Sequence, residues 1–311
     1  MKNPLLPLSA FFMLLLGHGF ATGISSCNLS ITSPGTYALT GNISADSMHS
    51  CLYIKASDVT IDCRGHWILG NDQDCTPAGR QCAGIWSVAQ RTKITNCYIR
   101  KFQIGIGLGD YTTRDDSSSN YTSIDNVSIW FNTVEAGLGE GIGIMNSKNV
   151  NITNSYINGT ESNLGDAIYF DGGKGTTGNF IIENNTILSD EFAISFYHYP
   201  GSGLRTQNIS IKNNYIRGVR NGAGTGAVTY TGISESNYND NVTINGNVFD
   251  QGGIEDTYGL QINPGSTGSA VTNNTFIGPR MVSNGAWDTV FSLDCILQMA
   301  LAYVLQLFGA A

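Results

Sequence analysis

A short motif of the form Ile-x-Asn-Asn-x-Ile recurs along this chain and constrains its fold more than any other feature. Its copies are anchored at positions 61, 94, 129, 152, 182, 211, 244 and 271, which are separated by 23 to 35 residues. Clear copies are Ile182-Glu-Asn-Asn-Thr-Ile187 and Ile211-Lys-Asn-Asn-Tyr-Ile216. Self-similarity at such spacings is typical of repeat architectures, in which each unit packs on its neighbours.

Each copy places a short strand before a sharp turn. In Val242-Thr243-Ile244, apolar and polar residues alternate, as expected of a strand with one buried face. Asn follows because it tolerates left-handed backbone angles better than other residues that carry a side chain. Stacked Asn side chains can also hydrogen-bond along the column of turns. The Asn residues are therefore predicted to be scaffold and not a functional site.

A second strand is predicted in most copies, at residues 105–108, 141–144, 167–170, 193–196, 227–230 and 259–262. The period of two places Ile168 and Phe170 inside and Tyr169 and Asp171 outside. Parallel stacking with right-handed crossovers then gives an all-β fold, a single-stranded right-handed parallel β-helix (solenoid) of about eight coils with capped ends. An antiparallel sandwich is the alternative, and the regular Asn positions argue against it.

The two ends of the chain differ from the repeat. Residues 1–21 combine Lys2, an apolar run and small residues before Thr22, which predicts a cleaved signal peptide, with an uncleaved anchor as the alternative. Residues 22–57 are predicted to cap the solenoid at 58–284. Residues 285–311 carry an uncharged stretch from Cys295 and predict a cap helix or hydrophobic tail, with a membrane anchor as the alternative.

Six of the seven cysteines lie near the N-terminus. Export makes disulfides the default state, and proximity in the inferred coils favours the pairs Cys27–Cys51, Cys63–Cys97 and Cys75–Cys82. Metal binding is the weaker alternative, because Cys-x-x-Cys spacing is lacking and the histidines are far apart; no metal and no cofactor are predicted. Glycosylation sequons agree with export, although Asn, Ser and Thr also recur for structural reasons. They begin at Asn28, Asn42, Asn120, Asn126, Asn151, Asn158, Asn184, Asn208, Asn241 and Asn273.

The charge balance limits the classes of partner. The net charge is -8, and a nucleic acid or an anionic membrane surface would need a basic face. A membrane would thus be contacted only through a C-terminal anchor. Charged residues make up 13% of the chain and apolar residues 41%, which fits a folded all-β protein with many turns.

Two N-terminal stretches resemble the opening of known proteins. They are Ser-Pro-Gly-Thr-Tyr-Ala-Leu-Thr at 33–40 and Ala-Ser-Asp-Val-Thr-Ile-Asp-Cys-Arg-Gly-His-Trp-Ile at 56–68. Together with the repeat, over roughly residues 27–280, they resemble right-handed β-helix proteins of the pectin-lyase-like superfamily, especially archaeal and bacterial surface proteins. The resemblance implies the fold, whereas the superfamily ranges from polysaccharide lyases, hydrolases and epimerases to adhesins, so it does not fix an activity.

The catalytic motifs of the superfamily are only partly matched. Gly65-His66-Trp67 resembles one motif of the polygalacturonase-type hydrolases, and Tyr197-His198-Tyr199-Pro200 departs from the epimerase motif in order and lacks its Asp. The outward positions of the second strands remain the predicted site. Asp166, Asp171 and His198 are candidate catalytic residues, because glycoside hydrolysis needs two carboxylates that flank the bond.

Aromatic rings stack on sugar faces, and polar side chains bind sugar hydroxyls. The candidate substrate-binding residues of these two kinds are Tyr169, Tyr197, Tyr199, Arg205, Gln261 and Asn263. The sequence predicts a secreted or cell-surface protein, structural or carbohydrate-binding and non-catalytic, with a polysaccharide or surface glycan as partner. The alternatives are a polysaccharide hydrolase, lyase or epimerase, or ordinary solvated residues beside turns.

Overall fold

A computed structural model describes residues 21–45, 50–71, 82–110, 119–130, 139–159, 165–171, 177–189, 192–197, 206–218, 229–235, 239–250, 257–262, 268–277, 282–284 and 290–291. In these ranges the chain forms strands in three parallel sheets and no helix. The predicted fold class is therefore confirmed as an all-β parallel solenoid. Each coil passes through the first, the third and the second sheet in turn.

The strands are numbered in chain order. The first sheet contains β1 (Thr22–Ile24), β3 (Gly35–Leu39), β6 (Val59–Asp62), β9 (Lys93–Thr95), β12 (Ser123–Asp125), β15 (Lys148–Thr153), β18 (Thr177–Glu183), β21 (Thr206–Lys212), β24 (Asn239–Asn245), β27 (Ala270–Thr272) and β30 (Val290–Phe291). The second sheet contains β2 (Leu29–Ile31), β5 (Leu52–Ile54), β8 (Ala83–Ser87), β11 (Ile104–Leu108), β14 (Gly139–Met145), β17 (Gly165–Asp171), β20 (Ile194–Tyr197), β23 (Thr229–Glu235), β26 (Thr257–Ile262) and β29 (Val282–Asn284). The third sheet contains β4 (Ile43–Ser44), β7 (Trp67–Leu69), β10 (Tyr98–Arg100), β13 (Ser128–Trp130), β16 (Tyr156–Gly159), β19 (Thr186–Ser189), β22 (Tyr215–Gly218), β25 (Val248–Asp250) and β28 (Thr275–Ile277).

Seven of the eight predicted anchors form one column of the first sheet. The third anchor of that column is Ile124, which pairs with Ile94 and Ile152, so the assignment of Ile129 is wrong. Ile129 lies in the third sheet. The physical reason is that each motif contributes one Ile to the first sheet and one to the third, and this copy is aligned on its second Ile. With Ile124 as the third anchor, the shortest predicted spacing between anchors, 23 residues, no longer occurs.

Columns of β-branched side chains fill the interior. Ile94 of the first sheet, Ile99 of the third and Ile106 of the second are all buried. β-branched residues suit strands because their stiff side chains pack well on a pleated surface. Each fully buried Ile contributes roughly 2 kcal/mol by the area it removes from water. The hydrophobic ladder therefore supplies most of the stability of the coils.

The turn after each first-sheet strand is built from Asn as predicted. Asn184, Asn213 and Asn273 have φ of 58°, 54° and 54°, in the left-handed region. The Asn that follows points inward, and Asn185 donates from Nδ2 to Oδ1 of Asn214 at 3.0 Å. Asn214, Asn247 and Asn274 continue this buried ladder at 3.0 Å per step. Both predicted roles of Asn, the left-handed turn and the stacked hydrogen bonds, are confirmed.

The disulfides Cys27–Cys51 and Cys63–Cys97 are present as predicted. Cys82 is also disulfide-bonded, and Cys75 lies outside the described residues. The stretch 22–57, predicted as a cap, supplies the first strand of each sheet, and β30 from the stretch 285–311 ends the first sheet. The rest of that stretch and the predicted signal peptide fall almost wholly outside the described residues, so the division into caps and solenoid stays a prediction.

Candidate functional site

The predicted patch lies on the second sheet and is only partly described. Asp166, Tyr169 and Asp171 all belong to β17. The backbones of Tyr197 and Gln261 lie in β20 and β26. His198, Tyr199, Arg205 and Asn263 lie outside the described residues. The structure therefore brings together three of the predicted side chains.

Asp166 has a carboxylate neighbour that the sequence prediction missed. It is the register partner of Glu140 on β14, and register partners on adjacent parallel strands project from the same face. Glu140 is buried, with 4% of its surface exposed, and Asp166 is half-buried. The hydroxyl of Ser195, on the next strand, donates to Oδ2 of Asp166. The available signal was the alignment of Gly139-Glu140-Gly141-Ile142 with Gly165-Asp166-Ala167-Ile168.

Asp171 differs from its expected exposure. Strand alternation predicts an outward, solvated side chain, yet only 2% of Asp171 is exposed. Its register partners are Met145, which is buried as well, and Tyr197. The outer face at the end of β17 is thus covered, whereas Asp166 and Tyr169 retain partial exposure.

A cluster of four aromatic side chains lies on the solvent side of the third sheet. It consists of Trp67, Tyr98, Trp130 and Tyr156, and is called the aromatic face below. Ring centroids are 5.1 Å apart for Trp67 and Tyr98, 5.4 Å for Trp67 and Trp130, and 5.5 Å for Trp130 and Tyr156. Tyr98 is 37% exposed, and the other three rings are half-buried. These rings line a surface across four consecutive strands of the third sheet.

The sequence carries a signal for three of these four rings. Trp67, Tyr98 and Tyr156 each precede the inward Ile of a third-sheet strand. The register partners of Ser128 in that column are Tyr98 and Tyr156. Trp130 comes from the next outward column, in register with Arg100. The cluster therefore depends on the register between coils.

A polar groove of about 390 Å³ adjoins the aromatic face at Tyr98 and Ser128. Asp62, Arg64, Asn96 and Asn126 also line it. Oδ1 of Asp62 accepts the backbone N–H of Arg64 at 3.0 Å and Nδ2 of Asn96 at 2.9 Å. Oδ1 of Asn96 accepts Nδ2 of Asn126 at 2.8 Å. These bonds fix the polar groups, and the carboxylate of Asp62, as a whole, and Oδ1 of Asn96 keep lone-pair capacity for a ligand hydroxyl.

Tyr215 lies in the same outward column, two coils beyond Tyr156. Its hydroxyl donates to Asp250. That hydrogen bond, with burial and the negative charge of Asp250, raises the pKa of Tyr215. Tyr215 is therefore held by a polar partner and lies outside the aromatic face.

The described ranges contain no group of three or more His, Cys, Asp or Glu side chains placed to hold a metal ion. Within the same ranges, no helix has the length and apolar character needed to cross a membrane.

No family model and no curated protein matches this chain. Among solved structures, the Dettilon tailspike protein (gp208) is 12% identical with a TM-score of 0.50, covering 84% of this chain and 60% of the tailspike. The A-module of the Azotobacter vinelandii mannuronan C-5 epimerase AlgE4 is 13% identical with a TM-score of 0.50, covering 88% of this chain and 89% of the module. DFA-IIIase from Arthrobacter chlorophenolicus A6, in complex with GF2, is 12% identical with a TM-score of 0.48, covering 82% and 70%. The tailspike and the epimerase module thus share the fold of this chain, a parallel β-solenoid.

Proposed function

We propose that this protein is an exported β-helix that binds carbohydrate through the aromatic face and does not cleave it. The observation that carries the proposal is the cluster of Trp67, Tyr98, Trp130 and Tyr156 on the solvent side of the third sheet, continuous with a polar groove. A sugar presents apolar C–H faces and polar hydroxyls, so a surface that holds both kinds of group side by side complements it.

The geometry suits a ligand that lies across the coils. The four rings come from four successive strands, which in a parallel sheet lie about 4.8 Å apart. Arg100, between Leu69 and Trp130 in the neighbouring outward column, and Asn158 beside Tyr156 add donors at the rim. An extended chain of sugars could therefore contact several rings and rim donors at once.

The fold and the disulfides support the ligand class and the compartment. By their names, the similar structures include a tailspike protein and an epimerase of mannuronan, which is a polysaccharide. Disulfides such as Cys63–Cys97 persist in oxidising compartments outside the cytosol. Export through the predicted signal peptide at 1–21 and glycosylation at the sequons are part of the proposal.

The test measures retention of the purified chain on insoluble polysaccharides and titrates soluble ones by tryptophan fluorescence. Tyr98→Ser should lower affinity at least tenfold, because it removes the most exposed ring, and Ser128 already occupies that column in the next coil. The control is Tyr215→Thr, which replaces a ring of the same column outside the cluster, where Thr186 is a neighbour. Equal binding by both variants and the unaltered protein would refute the aromatic face as the site.

A specific observation supports hydrolysis as a second candidate function. Glu140 and Asp166 are register partners on one face, and glycoside hydrolysis uses two carboxylates that flank the bond. The measurement is the release of new reducing ends from the same polysaccharides. Release that disappears in Glu140→Gln and Asp166→Asn, while binding persists, would replace the non-catalytic proposal with a hydrolase. Asp171→Asn tests the other predicted carboxylate in the same way.

A further inference from the structure

A second groove, of about 460 Å³, follows the corner where the chain enters the first sheet. It extends across β12, β15, β18 and β21, a span of three strand spacings or roughly 14 Å. Tyr121, Asn149, Asn179, Asn208 and Ile181 are among its lining residues, and all the described lining side chains are uncharged. It lies on a different sheet from the aromatic face.

Tyr121 occupies a strained backbone position in this groove. Its φ is 61°, in the left-handed region, where a bulky aromatic residue is disfavoured. The equivalent corner residues of the next three coils are Asn149, Asn179 and Asn208, with φ of 57°, 60° and 56°. The side chain of Tyr121 is 61% exposed, so burial does not compensate the strain. A ring kept at the surface against a backbone preference indicates a role in contacting a ligand.

The Asn residues form a row of amides along the groove. Asn179 donates from Nδ2 to Oδ1 of Asn149 at 2.9 Å, and Asn208 donates to Oδ1 of Asn179 at 2.9 Å. A carboxamide has two N–H donors and an oxygen with two lone pairs, so each bond in the row leaves donor and acceptor capacity at these groups. Asn179 and Asn208 are exposed. The row therefore presents donor and acceptor atoms repeated at every coil.

An apolar side chain stands beside this row. Ile181 is 40% exposed, and its register partners in the first sheet are the polar residues Asn151 and Ser210. The groove thus combines one exposed aromatic ring, one exposed aliphatic side chain and a row of amides. Apolar contact with amide and hydroxyl donors is the chemistry that recognises a neutral sugar.

We infer that this groove is a second carbohydrate site, which holds a neutral linear glycan along the solenoid axis. The ring of Tyr121 stacks on a sugar at one end, and the amides of Asn149, Asn179 and Asn208 bind hydroxyls along the chain. The carboxylate of a uronate would lose hydration in the groove, and none of the described lining side chains is a cation that could compensate this loss. The ligand class is therefore neutral. The inference rests on residues other than those of the proposed aromatic face.

The test uses the full chain, made in an oxidising compartment of a host without N-glycosylation, because Asn151 and Asn208 begin sequons. The probes are maltohexaose, cellohexaose, mannohexaose and xylohexaose, with hexagalacturonate as the acidic comparison, titrated by calorimetry. One neutral hexasaccharide should bind, and Tyr121→Asn should lower its affinity at least tenfold. The same variant should be no less stable than the unaltered protein, since Asn accepts the left-handed φ found at this corner.

Ile181→Ser is the second binding variant, because polar residues already flank it in that column and the fold should tolerate it. Tyr215→Thr is the matched control, because this ring lines neither the groove nor the aromatic face, and it should leave the hexasaccharide affinity unchanged. If the aromatic-face proposal fails, Tyr98→Ser will be retained on insoluble polysaccharide as strongly as the unaltered protein. That result would not affect the hexasaccharide titration, which tests the groove. The inference is overturned if no neutral hexasaccharide binds, if hexagalacturonate binds more tightly, or if Tyr121→Asn binds as well as the unaltered protein.

Discussion

Cys63 and Cys97 are joined by a disulfide inside the same column of inward turn residues that Asn fills in later coils. Four third-sheet residues are register partners in successive coils: Tyr98, Ser128, Tyr156 and Thr186. The residues that precede them therefore form one column, which runs Cys97, Val127, Ser155 and Asn185. The column thus changes from a covalent link to an apolar residue, then to the hydroxyl of Ser155 and finally to hydrogen-bonded amides. One buried position is stabilised in four chemical ways along one solenoid.

The Cys63–Cys97 disulfide should stabilise the fold mainly by restricting the conformations of the unfolded chain. Replacing both residues, Cys63→Val and Cys97→Val, should lower the free energy of unfolding by about 3 to 4 kcal/mol. This is the loss expected for a disulfide that joins residues separated by 34 positions in the sequence. Val is suitable because Val127 occupies the column in the next coil. Urea unfolding without reductant measures the change, with Cys27–Cys51 left intact. A loss below about 1 kcal/mol would contradict a loop-closure role.

The amide part of the column should respond more sharply to a single substitution. Asn214 accepts from the backbone N–H and Nδ2 of Asn185 and donates to the carbonyl of Ile182 and to Oδ1 of Asn247. Asn214→Ala should destabilise by about 3 kcal/mol or more, because it orphans buried donors and acceptors. Asn213→Gly is the control, since Gly accepts its φ of 54° and the side chain is exposed. Equal urea midpoints for the two variants would show that the ladder adds no stability.

The columns and turns of this fold were predictable because local residue chemistry specifies them. The left-handed angle favours Asn or Gly, and the inward face favours Ile, so both recur in the sequence in most of the coils. Ile129 was misplaced because both Ile residues of a motif have the same chemistry, and only strand pairing shows that Ile124 belongs with Ile94.

The site residues were less predictable for a related reason. The aromatic face joins Trp130 with Trp67 and Tyr98 across strands, and Glu140 meets Asp166 only through pairing of β14 with β17. Loop lengths between coils set these registers, and they vary along the chain. Asp171 follows the alternation that predicts an outward side chain, yet tertiary packing buries it.

Acid should weaken the fold partly through Asp125. Hydrogen bonds from Oγ1 of Thr153 at 2.7 Å and Nδ2 of Asn154 at 2.8 Å, with the charge of Lys93, hold the pKa of Asp125 below its ordinary value. A lowered folded pKa gives stability that is full above the unfolded pKa and is lost as pH falls through the folded one. Asp125→Asn should therefore lose less stability on acidification than the unaltered protein.

The measurement for Asp125 is the thermal midpoint from neutral pH down to the acid range below the ordinary carboxyl pKa. Thr153→Val provides a second variant, because it removes the largest cause of the lowered pKa. The folded pKa of Asp125 then lies closer to the unfolded one, so this variant should also lose less stability on acidification than the unaltered protein. Parallel pH profiles for all three proteins would exclude a contribution from this carboxylate.

Whether a glycine tolerates substitution by Ala should depend on the atoms that the added Cβ would meet. At Gly105 a Cβ would lie 2.4 Å from Cγ2 of Ile129 and 2.6 Å from the carbonyl oxygen of Gly141, so neither the core nor the next strand leaves room. Gly105→Ala should destabilise by about 1 to 3 kcal/mol, the usual cost of overpacking a core. Gly41→Ala is the matched control, because its Cβ would meet nothing within 4 Å, and it should be neutral or slightly stabilising. The urea midpoints of the two variants measure the difference. If Gly105→Ala is as stable as Gly41→Ala, the third sheet does not pack against Gly105 as closely as the structure shows.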